Sequence, residues 1–216
     1  MVPNSPKPAK SRDAIAEVLS STITSVIAQT NPQQELDISL RPRFGSFLTV
    51  ATNDSDIRVF AVVYNVVTGA PDSVHKPVAM GLTRDELRAE QPHIFSLLRT
   101  EVHAAIVGYE QDGNVFQHLP PHPPDVHDFV YLSTQDEIVQ LTTDFDFLRL
   151  LMHVSAVPAD ELLAATVREA QRAAAYPEPF LVAAGQALSK LLQNDYDRLV
   201  ALLRKIRPQQ TQRSGK

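Results

Sequence analysis

The sequence has no cysteine, few glycines and no long apolar run. Without cysteine, the 216-residue chain forms no disulfide, thiolate nucleophile or cysteine zinc site, which fits a reducing compartment. Its 7 glycines leave few positions for a phosphate-binding loop. The longest apolar run, residues 57–67, is interrupted by Arg58 and Asn65 and is too short to span a membrane. Since the N-terminus also lacks the apolar core of a signal peptide, we expect a soluble, cytoplasmic protein.

The composition is that of a globular protein. Hydrophobic residues make up 44% and charged residues 21% of the chain, which is long enough to bury a sizeable core. The formal charge of −5 and the pI of about 5.8 argue against a general nucleic-acid or anionic-membrane surface, because phosphate binding requires clustered Lys and Arg.

The two ends of the chain are predicted to be tails, and a helix is predicted to follow the first of them. Residues 1–12 are rich in Pro, Ser and Lys and are predicted to be a disordered tail. Residues 13–31 are predicted to be a helix, because their apolar residues from Ile15 to Ile27 follow helical spacing and Pro32 ends the pattern. The polar residues 208–216 are predicted to be a mobile tail.

Residues 36–142 have the pattern of strands and turns. Predicted strands cover residues 36–40, 47–51, 57–67, 77–81, 102–109, 115–118 and 129–132. Asp112-Gly113 predicts a tight hairpin, Thr83-Arg84-Asp85-Glu86 predicts a capping box that opens a short helix, and the prolines of residues 120–124 predict a rigid loop. Short strands at this spacing predict a small, mostly antiparallel β-barrel.

Residues 143–207 are predicted to be an α-helical domain, which makes the fold class α+β. Asp144 is the predicted cap of a first helix, Pro158 begins a second, and Pro177 and Pro179 interrupt the chain before a single last helix over residues 180–206. That helix carries an apolar stripe: Leu181, Leu188, Leu191, Leu192, Leu199, Leu202, Leu203 and Ile206. The stripe has two interpretations, a domain core or a surface for an oligomer or a partner.

Four residues of the proline-rich loop suggest a metal site. His118, His122, His127 and Asp128 lie within eleven positions of each other, and imidazole with carboxylate is a legitimate zinc ligand set. The first two histidines flank Pro120 and Pro121, however, and no helix aims their rings at one point. A polar, proline-stiffened loop is the simpler interpretation, and we predict no metal ligand, no cofactor and no catalytic residue.

Other candidate motifs are also explained by local structure. Asp54 with Asp56, and Asp144 with Asp146, are carboxylate pairs of the kind used in acid–base catalysis, but Asp is commoner in turns and caps. The segment from Gly108 to Gly113 has phosphate-loop glycine spacing without the required lysine. No nucleophile elbow, zincin helix or dinucleotide fingerprint occurs.

Four segments resemble the HAS-barrel, the N-terminal barrel of HerA-type helicases and ATP synthase subunits. They are residues 45–50 (GSFLTV), 57–66 (IRVFAVVYNV), 77–81 (PVAMG) and 104–109 (AAIVGY). Residues 120–124, followed by 129–132, are similar to the family's proline-rich approach to its last strand. In that family the barrel is a non-catalytic collar for subunit contacts, and a P-loop ATPase domain follows it. Here helices take the place of that domain. The resemblance therefore implies a stand-alone barrel that assembles with other subunits, with a P-loop ATPase as the suggested partner.

Three hypotheses follow for function. The first is a non-catalytic interaction or assembly module, acting on a protein partner or as a homo-oligomer. The alternative is a metal-dependent or small-ligand-binding enzyme with its site at the barrel mouth, near His118, His122 and His127. A third is weak oligonucleotide binding, which the acidic balance disfavours. Its platform would comprise Phe44, Phe47, Phe60 and Tyr64 with Arg41, Arg43 and Arg58.

Overall fold

The computed structural model describes residues 14–30, 41–52, 57–69, 79–91, 94 and 98–207. The strands in this part of the chain are β1 (Ala16–Ser21), β2 (Ser25–Thr30), β3 (Phe47–Ala51), β4 (Ile57–Gly69), β5 (Arg99–Gln111), β6 (Asn114–Phe116) and β7 (Phe129–Leu132). The helices are α1 (Arg84–Glu90), α2 (Gln135–Leu141), α3 (Phe147–Met152), α4 (Ala159–Ala173), α5 (Pro177–Leu191) and α6 (Tyr196–Ile206).

Six strands close into an antiparallel barrel. Their order around the barrel is β1-β7-β3-β4-β5-β2, and the pairing of β2 with β1 completes the ring. Of the described strands, β6 alone lies outside it, as a hairpin on the end of β5. The turn residues of that hairpin, Asp112 and Gly113, have φ of 53° and 77°, the positive values that a tight hairpin needs. The predicted fold class, an α+β protein with a small barrel followed by helices, is therefore confirmed.

The apolar residues of the long strand β4 alternate between two cores. Val59, Ala61 and Val63 point into the barrel, where they pack with apolar residues of the other barrel strands. Phe60 and Val62 point outward, into a second buried cluster with side chains of the helices. This alternation follows from the two-residue period of a strand. The barrel wall thus serves as one layer of the helical core.

The predicted helix over residues 13–31 is wrong, because β1 and β2 form a hairpin there. Val18, Val26 and Ala28 all face the barrel interior, as the alternation of a strand requires. The side-chain oxygen of Thr22 accepts hydrogen bonds from the backbone N–H groups of Thr24 and Ser25 at 3.2 and 3.0 Å, which fixes the turn. The hairpin fills the gap between β7 and β5, so a tertiary requirement overrides the helical spacing.

A second helix, α2, which we did not predict from the sequence, lies inside the segment assigned to the barrel domain. Thr134 and Glu137 form a reciprocal capping box at its start, in which Thr134 N–H donates to the Glu137 carboxylate at 2.7 Å. The motif was present in the sequence as Thr-Gln-Asp-Glu. We missed it because it directly follows a predicted strand. The last barrel strand ends at Leu132, as predicted, and the predicted domain boundary at residue 142 takes in α2 as well.

The predicted single last helix is two helices, α5 and α6. Leu192 ends α5, and the Asp195 carboxylate accepts the backbone N–H of Arg198 at 3.1 Å, which caps a new helix start. Pro177 does not interrupt the chain but occupies the first turn of α5, where its missing N–H costs nothing. Two shorter helices cross the core where one long helix was expected.

The capping box of α1 is confirmed. Thr83 donates its backbone N–H and its hydroxyl to the Glu86 carboxylate, both at 2.7 Å, and the backbone bond most of all lowers the pKa of Glu86 from its ordinary value. The short strand predicted over residues 77–81 is absent from Ala79 to Gly81. Residues 77 and 78, the strand at 36–40, the turn at 53–56 and both tails (1–12 and 208–216) lie outside the described residues.

Gln117 joins the barrel to the start of α3. Its Nε2 donates to the carbonyls of Leu141 and Asp144 at 2.6 and 2.8 Å, and its Oε1 accepts the N–H of Phe147 at 3.0 Å. The residue at the N-cap, Asp146, makes no side-chain capping bond, and the predicted cap Asp144 makes none to this helix start. A glutamine distant in sequence therefore supplies the cap that we expected from Asp144.

We predict that Gln117→Ala lowers the free energy of unfolding by about 1–3 kcal/mol, because part-buried backbone groups lose their partner. Urea denaturation followed by circular dichroism measures the change. The matched control is Gln140→Ala on the exposed face of α2, which should change stability by less than about 0.5 kcal/mol. Equal effects of the two substitutions would contradict this role of Gln117.

Candidate functional site: an apolar groove between the last two helices

The helix α5 is rich in apolar residues and yet poorly buried. Of its 15 residues, only Ala184 and Leu188 are buried, whereas α4, of the same length, buries eight. The side chain of Val182 is 62% exposed, and Leu181 is partly buried. The exposed apolar side chains make α5 a candidate binding surface.

Ion pairs hold α6 against α4 rather than against α5. Arg198 Nε donates to both carboxylate oxygens of Asp160, at 2.9 and 3.1 Å, and this bond raises the pKa of Arg198 above its ordinary value. Lys205 pairs with Glu161 further along the helix. Because α6 contacts α4 much more extensively than α5, an open groove remains between α5 and α6.

The groove has a volume of about 870 Å³ and a mainly apolar lining. Its apolar side chains come from both helices: Leu181, Val182, Leu199, Val200, Leu203 and Ile206. The chain reverses between the helices, so the start of α5 lies beside the end of α6. Charged residues are confined to that end, where Glu178, Arg204 and Arg207 line the groove. An apolar floor with charges at one end is a typical arrangement for binding an amphipathic segment.

The structure does not bring the three histidines of the proline-rich loop together. The His118 ring lies against Tyr109 and Phe116, with centroid distances of 5.3 and 5.5 Å. The His127 Nδ1 lies 3.4 Å from a carboxylate oxygen of Glu17 on β1. Of the three histidines, His122 alone lines a separate pocket of about 340 Å³. Within the ranges described, no three His, Asp or Glu side chains are placed to hold a metal ion.

The nearby carboxylates do not form a site with the histidines. Asp128 is buried, and its Oδ2 accepts the backbone N–H of Asp125 at 2.8 Å, which stabilises the loop before β7. Asp144 and Asp146 are exposed at the start of α3, where they line an open pocket of about 530 Å³ with His118. Asp54 and Asp56 lie outside the described residues. Gly108 is within β5, and a Cβ there would lie 2.5 Å from the carbonyl oxygen of Phe116, so close packing explains this glycine.

The predicted aromatic platform is dispersed. Phe47 and Phe60 are buried in the helical core, and the Tyr64 ring packs edge-on against His103 at 6.1 Å. Phe44 remains partly exposed. Of the arginines, Arg43 pairs with Glu169 at 3.3 Å, and Arg41 lies beside it at a small pocket. Stacked bases therefore have no continuous aromatic surface among these residues.

A polar network at the seam between barrel and helices was not found from the sequence. Glu137 is 7% exposed, and Arg58 Nη1 donates to it at 3.1 Å while also pairing with Glu110. The Thr49 hydroxyl donates to the same carboxylate at 3.2 Å and lies 2.9 Å from the Ser133 hydroxyl. Because its members bond to each other across β3, β4, β5 and α2, the network acts as a brace. No local motif joins residues so far apart in the chain.

No known family model matches the chain, and no curated protein is significantly similar to it. The functional conclusion therefore depends on the geometry of the site. The sequence predicted the apolar stripe, but the stripe combines buried and exposed residues. Leu188, Leu192 and Leu202 are core residues, whereas Leu181 and Leu203 line the groove. Val182, the most exposed apolar residue of the groove, has no place in the predicted stripe.

Proposed function

We propose that this protein is a non-catalytic interaction or assembly module, in which the barrel is the scaffold and the α5–α6 groove is the surface for a protein partner. The observation that carries the proposal is the exposure of the apolar helix α5 beside a groove of about 870 Å³. Burying apolar surface is the main favourable contribution to protein association. A groove of this kind between two helices fits a helical segment of a partner.

The interior of the barrel supports a scaffold role. Val18, Leu48, Val59 and Val130 point inward with no measurable exposure, and Ile106 joins them at 1%. A barrel of six strands is narrow, and its side chains fill it rather than enclose a ligand cavity. The interior therefore contributes stability and leaves binding to the outer surface.

A P-loop ATPase is the partner class that we propose, and its support is the resemblance to the HAS-barrel. In that family, the barrel and the ATPase belong to the same chain. Here a barrel with a helical extension would contribute the same kind of subunit contact in trans. Fold-level likeness supports such a role by analogy alone.

The enzyme alternative has less support. It requires the rings of His118, His122 and His127 to converge at the barrel mouth, and the described structure places them against three different neighbours. No specific observation in the described residues favours this second function. Its distinctive consequence is one equivalent of metal bound to the purified protein.

We predict that Val182→Asp prevents partner capture and preserves the fold. Val182 is 62% exposed, so the substitution should cost less than about 0.5 kcal/mol of stability. A carboxylate placed in an apolar interface should cost at least about 2 kcal/mol of binding. The measurement is affinity purification of the tagged protein from its host in mild salt, with the molar ratio of each co-purified protein quantified by mass spectrometry.

The matched control for this experiment is Val139→Asp. Val139 is another exposed helical valine, at 42% exposure on α2, and it does not line the groove. Recovery of a P-loop ATPase in fixed ratio by the wild type and by Val139→Asp would support the proposal and name the partner. A partner that Val182→Asp retains fully would contradict it. Recovery of the protein alone, with stoichiometric metal, would favour the enzyme alternative.

A further inference from the structure

We infer that the groove also mediates self-association, with α1 of a second copy of this chain as its occupant. The inference rests on the proposed function of the groove and names one partner for it. Two features of the molecule, which lie on different elements, carry it. The first is a helix with no buried residue, and the second is a pair of arginines at one end of the groove.

The helix α1 packs little against the rest of the described structure. None of its seven residues is buried, and a helix this short is marginal in water without tertiary contacts. Met80 and Leu82, immediately before the helix, are 48% and 40% exposed, and Leu87 is only partly buried. Leu82 and Leu87 occupy the two positions of a hydrophobic staple around the Thr83 cap. They form a small apolar surface that a groove of the observed kind would cover.

The dimensions of the two elements are compatible. Seven helical residues extend about 10 Å, and the eleven residues of α6 that form one wall of the groove extend about 16 Å. The apolar residues Leu82 and Leu87 would contact the floor formed by Leu181 and Leu203.

The charges of the two elements are complementary. Arg204 and Arg207 are exposed at the end of the groove, and within the described structure neither forms an ion pair, in contrast to Arg198 and Lys205 of the same helix. The first turn of α1 carries Asp85 and Glu86. The side chain of Asp85 is 95% exposed, and its contact with Arg88 is long, at 3.8 Å. The Glu86 carboxylate is bonded within the capping box, so the exposed Asp85 carboxylate is the group that faces Arg204 and sets the direction in which α1 enters the groove.

A contact of this kind is heterologous, because α1 of one copy meets the groove of another. Each chain then carries one donor helix and one acceptor groove, on different parts of its surface. Such a contact repeats from copy to copy, and it produces a ring or a linear assembly according to the rotation between neighbours. Blocking either element prevents repetition and leaves the other element functional.

The test uses sedimentation of the purified full-length protein over a range of concentrations. We expect Asp85→Lys and Arg204→Glu each to weaken self-association about tenfold, and the double charge swap to restore it. High salt should weaken association of the wild type and of the double swap alike. Asp85 makes none of the capping bonds of Thr83 and Glu86, and restoration by the double swap separates the lost charge pair from the cost of a lysine in the first turn of the helix.

A mixing experiment separates this contact from any other. Leu87→Asp blocks the donor helix, Val182→Asp blocks the acceptor groove, and each variant alone should be monomeric. Their mixture retains one intact helix and one intact groove and should form a 1:1 dimer. A wild type that is monomeric at 0.1–1 mM, or a mixture without dimers, would overturn the inference. If partner capture still depends on Val182 in that case, the proposed function stands and only the second copy is excluded.

Discussion

Replacing Phe47 with alanine is expected to lower the free energy of unfolding by about 3–5 kcal/mol. Phe47 is 2% exposed on the outer face of β3, and its ring packs edge-on against Phe147 of α3 with a centroid distance of 6.1 Å. Truncation leaves a cavity at the contact between the barrel and the helices, and the surrounding helices cannot close it without losing their own contacts. Urea denaturation, followed separately by near- and far-ultraviolet circular dichroism, measures the loss.

The same experiment tests whether the barrel and the helices unfold together. Because they share the buried cluster that includes Phe47, we expect a single transition with both probes, in the wild type and in the variant. Phe129→Ala is the matched control, since Phe129 is 50% exposed on β7. This substitution should lower the free energy of unfolding by less than about 1 kcal/mol. Two separate unfolding transitions would contradict the shared core. So would a loss of stability in Phe129→Ala equal to that in Phe47→Ala.

Gly45→Ala should be almost as damaging, at about 2–5 kcal/mol. Gly45 precedes β3 with φ of 84°, and a Cβ there would lie 2.7 Å from the backbone carbon of Ala165 in α4. An alanine therefore has both backbone strain and a collision with a helix that has no room to move. The backbone N–H of Gly45 donates to the Val63 carbonyl at 2.8 Å, and this bond prevents the loop from shifting to relieve the collision.

A second glycine separates the two causes. Gly113 has a similar φ of 77° in the β5–β6 turn, but a Cβ there would meet nothing within 4 Å. Gly113→Ala should therefore cost only the backbone strain, about 1–2 kcal/mol. Thermal denaturation of both variants under the same conditions provides the comparison. Equal losses would show that the close approach of α4 to Gly45 contributes nothing.

The two glycines also show what local sequence predicts. The turn at Gly113 was predicted correctly, because Asp-Gly between two apolar runs specifies the positive φ values of a hairpin by itself. Nothing near Gly45 predicts that a helix 120 residues later passes over it. The two residues have similar φ values, and only Gly45 depends on tertiary packing.

The N-terminal hairpin marks the limit of pattern reasoning. The apolar residues between Ile15 and Ile27 fit a helical period, and only some of them follow the alternation of the observed strands, since Leu19 and Ile23 are exposed. Which pattern applies depends on whether the barrel needs two more strands to close between β7 and β5. Hydrogen bonds across the barrel decide this, and their partners are more than 70 residues away.

The candidate site was predicted in part for the same reason. The apolar stripe from Leu181 to Ile206 was visible, and its interpretation as core or surface was open. The split between α5 and α6 at Asp195 and the ion pairs of α6 with α4 decide which residues are exposed. Both depend on the geometry of three helices, so the groove is a tertiary feature.

The sequence by itself determined the local elements of this protein: the strands β3, β4, β5 and β7, the hairpin turn at Asp112-Gly113, the capping box at Thr83 and the α+β class. Each depends on propensity, period or hydrogen bonds within a few residues of the chain. Only the tertiary structure decided the closure of the barrel by β1 and β2, the cap that Gln117 supplies, the separation of the histidines and the exposure of α5. These features depend on contacts between distant segments, whose energies exceed local preferences when the two conflict.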